Sequence, residues 1–247
     1  MALPKIEYPI HNIKVPSKNK TYKFRPFLVK EEKILLMAKE SKNSYDILVA
    51  IKQIVNNCSI EDTFDVDKIT LFDLEYIFLK LRAVSIDNMI SVTYRDKEDN
   101  KLYSFDVDLN EIDIEVPEKM DNVVKITETS GLLLKYPPAT LYSDKDFLEL
   151  EQDHLFEIIV RCVDKFYEND EVTEASEYTF KEIGDYLETL DLKAFKQIQD
   201  FLLKTPTIKK ELVYTNSLGK KKKIVLKSLN DFFTWRWVTT ILKAIST

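Results

Sequence analysis

Three glycines in 247 residues constrain this chain more than any other feature, since ordinary usage near 7% would supply roughly 17. Only glycine lets backbone N–H groups close tightly around a phosphate. Walker-type loops and dinucleotide fingerprints therefore need two or three glycines within a few residues. Gly131, Gly184 and Gly219 stand far apart. The chain is not expected to build a P-loop, a Rossmann site or a nucleophile elbow of the G-x-S-x-G kind.

The other catalytic inventories are also short. Cys58 and Cys162 have no C-x-x-C partner, so they read as small buried hydrophobes and not as zinc ligands or a redox pair. His154 lies near Asp153 and Glu157. On a helical wheel, however, it falls with Glu157, Arg161 and Lys165 opposite Leu155, Ile159 and Phe166, as a solvated polar face would. The second histidine, His11, is remote in sequence. Asp106, Asp108 and Asn110 match the first half of a calcium loop, but Glu111 replaces its glycine and Pro117 its bidentate glutamate. That stretch reads as a strand with a charged face. No residue is nominated as catalytic, cofactor-binding or metal-ligating, and no enzymatic activity is expected.

A hydrophobic content of 45% suffices for a globular core. No apolar run approaches the ~18 residues of a membrane span. The sequence begins without the apolar stretch of a signal peptide, so a soluble protein of the cytoplasm is expected.

The hydrophobic period predicts an α+β fold. Pro4, Pro9, Pro16 and Pro26 exclude helix from the first 29 residues and leave an edge hairpin turning near Ser17 to Lys20. Helical spacing then runs over 30–41, 45–57 and 71–84, the third with Leu71, Leu74, Phe78 and Leu81 on its stripe and Asp73, Glu75, Lys80 and Arg82 on a wet face. Period-two alternation over 90–94 and 102–116 gives middle antiparallel strands, and 123–134 adds more strand before Pro137 and Pro138. The second half reads as mainly helical: a helix from Ser143 or Asp146 to about Tyr167, a capping box at Thr179 and Glu182, and a helix capped by Asp191. A second hairpin turns at Asn216 to Gly219, and Ser228 opens a final aromatic helix. One unit spanning 1–247 is expected, with any subdivision falling between 1–137 and 138–247.

Three surfaces stand out as candidate partner contacts. The first is the proline-bearing edge around Phe24, Arg25 and Phe27. The second is the hairpin holding Lys209, Lys210, Lys220, Lys221, Lys222, Lys223 and Lys227 against Glu211, a formal +6 in a chain of net charge −6. Such asymmetry suits an acidic protein surface or nucleic acid. Nucleic acid is disfavoured, because arginines and stacking aromatics are scarce beside the lysines and the rest of the chain is acidic; a solvated loop explains the charge equally well. The third surface is the last helix, where Phe233, Trp235 and Trp237 belong to an apolar arc of about 200° and Phe232 projects into the remaining polar arc. Either the chain's own layers cover that arc or another chain does, and a membrane-surface role comes third.

Several segments are similar to a known family. Met1 to Ile6, residues 24–38 (Phe-Arg-Pro-Phe-Leu-Val-Lys-Glu-Glu-Lys-Ile-Leu-Leu-Met-Ala), residues 71–82, Leu132 to Pro137, Leu218-Gly-Lys and Leu229 to Phe233 resemble the baseplate hub assembly proteins of T4-like contractile-tailed bacteriophages. The resemblance implies a factor that helps build the central hub of the tail baseplate by binding other hub proteins, either as a chaperone-like assembly catalyst or as a hub subunit kept in the virion tail. It implies a place in the host cytoplasm during assembly, leaves self-association open and requires no cofactor. Some relatives carry cysteine pairs in the middle hairpin; this chain has Tyr94 and Arg95 there, so no metal carries over.

Overall fold

The computed structural model describes residues 6–41, 44–148, 150 and 154–232. They form an α+β fold in which ten strands make five antiparallel hairpins. Strands β1 (His11–Val15) and β2 (Lys20–Phe24) lead into helices α1 (Val29–Glu40), α2 (Ser44–Cys58) and α3 (Leu71–Ser85). Strands β3 (Met89–Arg95) and β4 (Leu102–Asp108) form the middle hairpin, followed by β5 (Val123–Lys125) and β6 (Ser130–Leu134). Helices α4 (Lys145–Leu148) and α5 (His154–Cys162) precede β7 (Val163–Glu168), β8 (Glu171–Glu174), α6 (Phe180–Glu188) and α7 (Leu192–Leu203). Strands β9 (Lys210–Thr215) and β10 (Lys221–Leu226) then lead to α8 (Leu229–Phe232). Strands β5 to β8 form one sheet in sequence order, and the other three hairpins are separate two-stranded sheets.

With glycine so scarce, asparagine does its work in the turns. Left-handed backbone is required at four hairpin turns, and three of them use Asn19, Asn100 and Asn169, with φ between 50° and 58°. Asparagine tolerates this region better than other residues bearing a Cβ. Only the β9–β10 turn uses glycine there, Gly219 at φ 78°. Gly131 is needed for a different reason: a Cβ on it would run into the Val124 carbonyl oxygen and the Tyr167 phenol across the sheet.

Helix α3 is the axis of the larger core. Its apolar residues Leu71, Phe72, Leu74, Ile77, Phe78, Leu79 and Leu81 are all buried, but the expected wet face is absent. Asp73 and Glu75 are buried too, and Lys80 and Arg82 are half-buried. For Asp73, Glu75 and Lys80 the reason is a tertiary partner that periodicity does not show. Asp73 closes a capping box with Thr70 and also accepts from the Ser17 N–H at 2.9 Å and its hydroxyl at 2.5 Å, so one carboxylate starts α3 and fixes the first hairpin turn. Glu75 accepts from the Tyr142 hydroxyl at 2.9 Å. Burial pushes its carboxyl up to about 7, an effect that bond only partly offsets. Lys80 donates to the carbonyls of Leu109, Asn110 and Ile112 at 2.6–3.1 Å and ties the exit of β4 to the helix.

Two further expectations fail on tertiary grounds. The strand predicted to reach Val116 stops at Asp108, whose carboxylate accepts from the Asn110 N–H at 2.9 Å and turns the chain into a 3₁₀ turn over Leu109–Glu111. The helix predicted to run to Tyr167 ends at Cys162, because Val163 to Glu168 pair with β6 on one side and β8 on the other. Ladder bonds on both edges outweigh a helical wheel.

Buried apolar residues form two clusters. The larger spans Ile13 to Phe232. The smaller gathers Val124, Leu132, Ile159, Val160, Ile183 and Ile198 with their neighbours, and packs α5, α6 and α7 on one face of the four-stranded sheet. The two clusters interleave along the chain, since Ala139, Leu141, Tyr142, Phe147, Ile158, Cys162 and Ile208 belong to the larger one. Tyr136 joins the two, edge-on to Phe72 at 5.3 Å and stacked on Phe201 at 5.5 Å.

Candidate partner-binding surfaces

The edge around residues 24–27 is built inward. Phe24 is fully buried and meets Phe64 edge-on at 5.1 Å, so its ring is closed to a partner. The outer edge of β2 is already paired: the Arg25 N–H donates to the Cys58 carbonyl at 2.9 Å, and the Ile60 N–H donates to the Lys23 carbonyl at 3.1 Å. Arg25 is an internal clamp. Its guanidinium donates to both Glu31 oxygens at 2.9 and 3.0 Å, to the Pro26 carbonyl at 3.0 Å and to the Asn57 carbonyl at 2.7 Å. Burial would push the fully buried Glu31 up, but the bonds from Arg25 and the Leu28 N–H hold it below the usual carboxylate range. Phe27 is half-buried against Phe78. The sequence-predicted contact edge is thus a joint between β2, α1 and α2.

The basic hairpin is exposed at its tip, and its side chains divide between two faces. Register pairs Tyr214 with Lys222 and Leu212 with Ile224, and this inner face meets the β3–β4 hairpin. Tyr214 sits among Tyr94, Tyr103 and Phe105 at centroid distances of 6.3, 4.7 and 5.6 Å, and its hydroxyl donates to Asp96 at 2.7 Å. At the turn, Asp99 accepts from the Ser217 N–H and hydroxyl at 3.0 and 2.9 Å and from the Tyr103 hydroxyl at 2.6 Å. Desolvation raises the Asp99 carboxyl, but these bonds and one from the Lys101 N–H outweigh it and hold it well below its ordinary value. Two loops more than 110 residues apart in sequence are thereby locked tip to tip.

The same geometry spends most of the lysine charge internally. Glu98 takes Lys222 at 2.7 Å and Lys220 at 3.3 Å; Glu211 takes Lys223 at 2.6 Å and Lys209 at 3.0 Å; Glu111 takes Lys210 at 2.6 Å. Among the described residues Lys221 has no ion pair. It stands with Lys223 and the exposed Val213 on the outer face.

Phe232 is buried beside Leu229 in the larger core, not projecting into a polar arc. Asp231 accepts from the N–H groups of Lys227 and Ser228 at 2.8 and 3.1 Å and pins the start of α8. Phe233, Trp235 and Trp237 lie outside the described residues.

Sequence reasoning missed Arg161. Placed with His154, Glu157 and Lys165 on a solvated face, it is in fact buried. It donates to Asp144 at 2.7 Å and pairs with Glu157, with the Phe180 ring 4.4 Å from the guanidinium. It lines a cleft of about 540 Å³ with Asp144, Lys135, Tyr136 and Phe180. The only available signal was the aromatic Phe180 far along the chain, and sequence spacing does not bring it near. Cys58 and Cys162 are buried thiols; burial raises both, Cys58 to about 12. Among the described residues no group of three or more His, Cys, Asp or Glu could hold a metal ion, and no helix is long and apolar enough to cross a membrane.

Residues 8–234 match the family described as T4 bacteriophage base plate protein, so the chain belongs to that family and its role is in the phage baseplate. No curated protein and no solved structure matches the chain.

Proposed function

We propose that this protein is a non-enzymatic assembly factor that promotes formation of the baseplate hub by reversible binding to hub proteins. The observation that carries this reading is the double hairpin tip. Side-chain hydrogen bonds fix it in place, and its outer face exposes Lys221, Lys223 and Val213. A rigid exposed surface loses little conformational entropy on binding, which favours selective and reversible association. No covalent chemistry enters this mechanism: the factor covers a partner's surface until neighbouring subunits replace it.

Affinity capture of the tagged full-length chain during infection tests this. Hub proteins are expected in the captured complex, and Lys221→Glu with Lys223→Glu is expected to reduce them at least tenfold without altering the fold. Unchanged capture would remove the hairpin as the contact surface.

A second reading, a subunit retained in the finished baseplate, is favoured by the family's description as a base plate protein. Quantitative mass spectrometry of purified tails separates the two, since a transient factor is absent at stoichiometric levels.

A further inference from the structure

Unpaired bases and unpaired acids collect on two separate surfaces of this chain. Residues 8–30 contain no Asp or Glu. Arg25 and Lys30 of that stretch pair with Glu31, which leaves Lys14, Lys18, Lys20 and Lys23 on the β1–β2 hairpin. All four are exposed, and among the described residues none has an ion pair. Lys14 and Lys23 stand on the outer face with Asn12 and Thr21, Lys18 is in the turn, and the Lys20 ammonium lies over the Tyr22 ring at 4.5 Å. Two carboxylates close by are already engaged. Glu61 accepts from the Lys23 N–H at 3.1 Å, and Asp65, which feels the charge of Lys18, pairs with Lys68 at 3.1 Å.

The opposite charge gathers around β8 and α6. Residues 168–188 hold eight acids against Lys181, a formal −7, and all eight are exposed. Glu174 pairs with Lys165 and Glu182 caps α6. The other six, Glu168, Asp170, Glu171, Glu177, Asp185 and Glu188, have no ion pair among the described residues. Glu168 and Glu171 face each other across the β7–β8 ladder, a like-charge pair that costs stability unless a cation neutralises it. The same surface is aromatic. Tyr178 and Tyr186 stand edge-on to Phe166 at 5.5 and 5.3 Å and are 45% and 38% exposed. Burial and the charge of Glu168 push the Tyr186 hydroxyl up, which sets that carboxylate beside the ring. Exposed rings turn a diffuse attraction into a contact, because an ammonium seats over a tyrosine face while its stem covers apolar surface.

We infer that this chain self-associates head to tail, the β1–β2 lysines of one copy seating on the Phe166, Tyr178 and Tyr186 surface of the next. Charge complementarity selects a second copy, since each surface finds its complement on the same chain and no ion pair joins the two within one copy. The β9–β10 hairpin suits the acidic surface less well, because Glu98, Glu111 and Glu211 already take most of its lysines. A contact between unlike surfaces is heterologous, so the copies close into a ring or extend as a filament. The inference goes beyond the assembly-factor reading and does not depend on it.

Sedimentation of the purified full-length chain tests this. In low salt its average mass is expected to rise with concentration, and to return to that of the monomer in ~1 M salt, where the screening length falls to ~3 Å. Lys18→Gln with Lys20→Gln and Lys23→Gln, and separately Glu168→Gln with Glu171→Gln and Asp185→Asn, are each expected to weaken association at least tenfold. Both sets alter exposed side chains, so neither variant should melt below the unmodified chain. Mixed together, the two variants are expected to form an equimolar pair and nothing larger, because one intact surface of each kind remains. A monomer at every concentration in low salt, or association that salt leaves unchanged, would overturn the inference. So would variants that associate as well as the unmodified chain. A mixture that stays monomeric would overturn the head-to-tail arrangement.

Discussion

The first and last hairpins each send one face into the larger core and differ in what holds their turns. The β1–β2 hairpin is anchored from inside. Ile13, Val15, Tyr22 and Phe24 enter the larger core, its turn is held by the fully buried Asp73, and Arg25 with Glu31 closes its end. The β9–β10 hairpin adds Leu212 and Leu226 to the same core, but its turn is held at the tip, where Asp96 and Asp99 of another loop hold Tyr214 and Ser217. One turn is held by a carboxylate of the core helix α3 and the other by carboxylates of a neighbouring loop, and both hairpins expose alternate residues on an outer face.

Breaking the two anchors measures the contrast. Arg25→Ala leaves Glu31 buried without its partner and is expected to cost about 3–5 kcal/mol in urea unfolding. Asp73→Ala removes the acceptor for four donors from Ser17 and Thr70 and is expected to cost about 2–4 kcal/mol. Ser17→Ala, which removes only the hydroxyl bond, is expected to cost about 1 kcal/mol. At the other hairpin, Tyr214→Phe deletes the bond to Asp96 and is expected to cost about 1 kcal/mol. A cost for Tyr214→Phe equal to that for Asp73→Ala would erase the distinction.

The two regions should also respond oppositely to pH. Glu75 has a raised folded-state pKa, so its contribution is complete below the ordinary carboxylate value and is lost as pH rises through about 7. Glu75→Gln is expected to flatten the decline in stability across that window. Asp96 and Asp99 are depressed, so their contribution is present above the ordinary carboxylate value and is lost as pH falls through their folded values. The protection factor of the Ser217 amide, its exchange rate relative to the intrinsic rate at the same pH, is therefore expected to fall in acid while α3 stays protected. Simultaneous loosening of both would contradict the assignment.

Local order was legible wherever one element decides its own structure. The period over 71–84, the capping box at Thr179 and Glu182, the Asp191 cap and the turn at Gly219 all appear as the sequence predicts. What was not legible depends on partners distant in the chain. Val163 to Glu168 fit a helical wheel until β6 and β8 claim their backbone. Glu75, Lys80 and Arg161 carry charge at positions a wheel assigns to solvent, but each meets its partner inside the fold. The candidate surfaces show the same limit. The lysines were visible as a cluster, but the acids that pair with them come mainly from loops more than 90 residues away, and Arg25 gave no local hint of Glu31 as a buried partner.

The most direct measurement is the amount of assembled hub in cells infected by phage disrupted for this chain, read by quantitative mass spectrometry of hub complexes and tails. The account predicts that hub components are made in normal amounts while assembled hubs and complete tails fall at least tenfold, with plasmid-borne protein restoring both. Normal hubs and tails in its absence would contradict it.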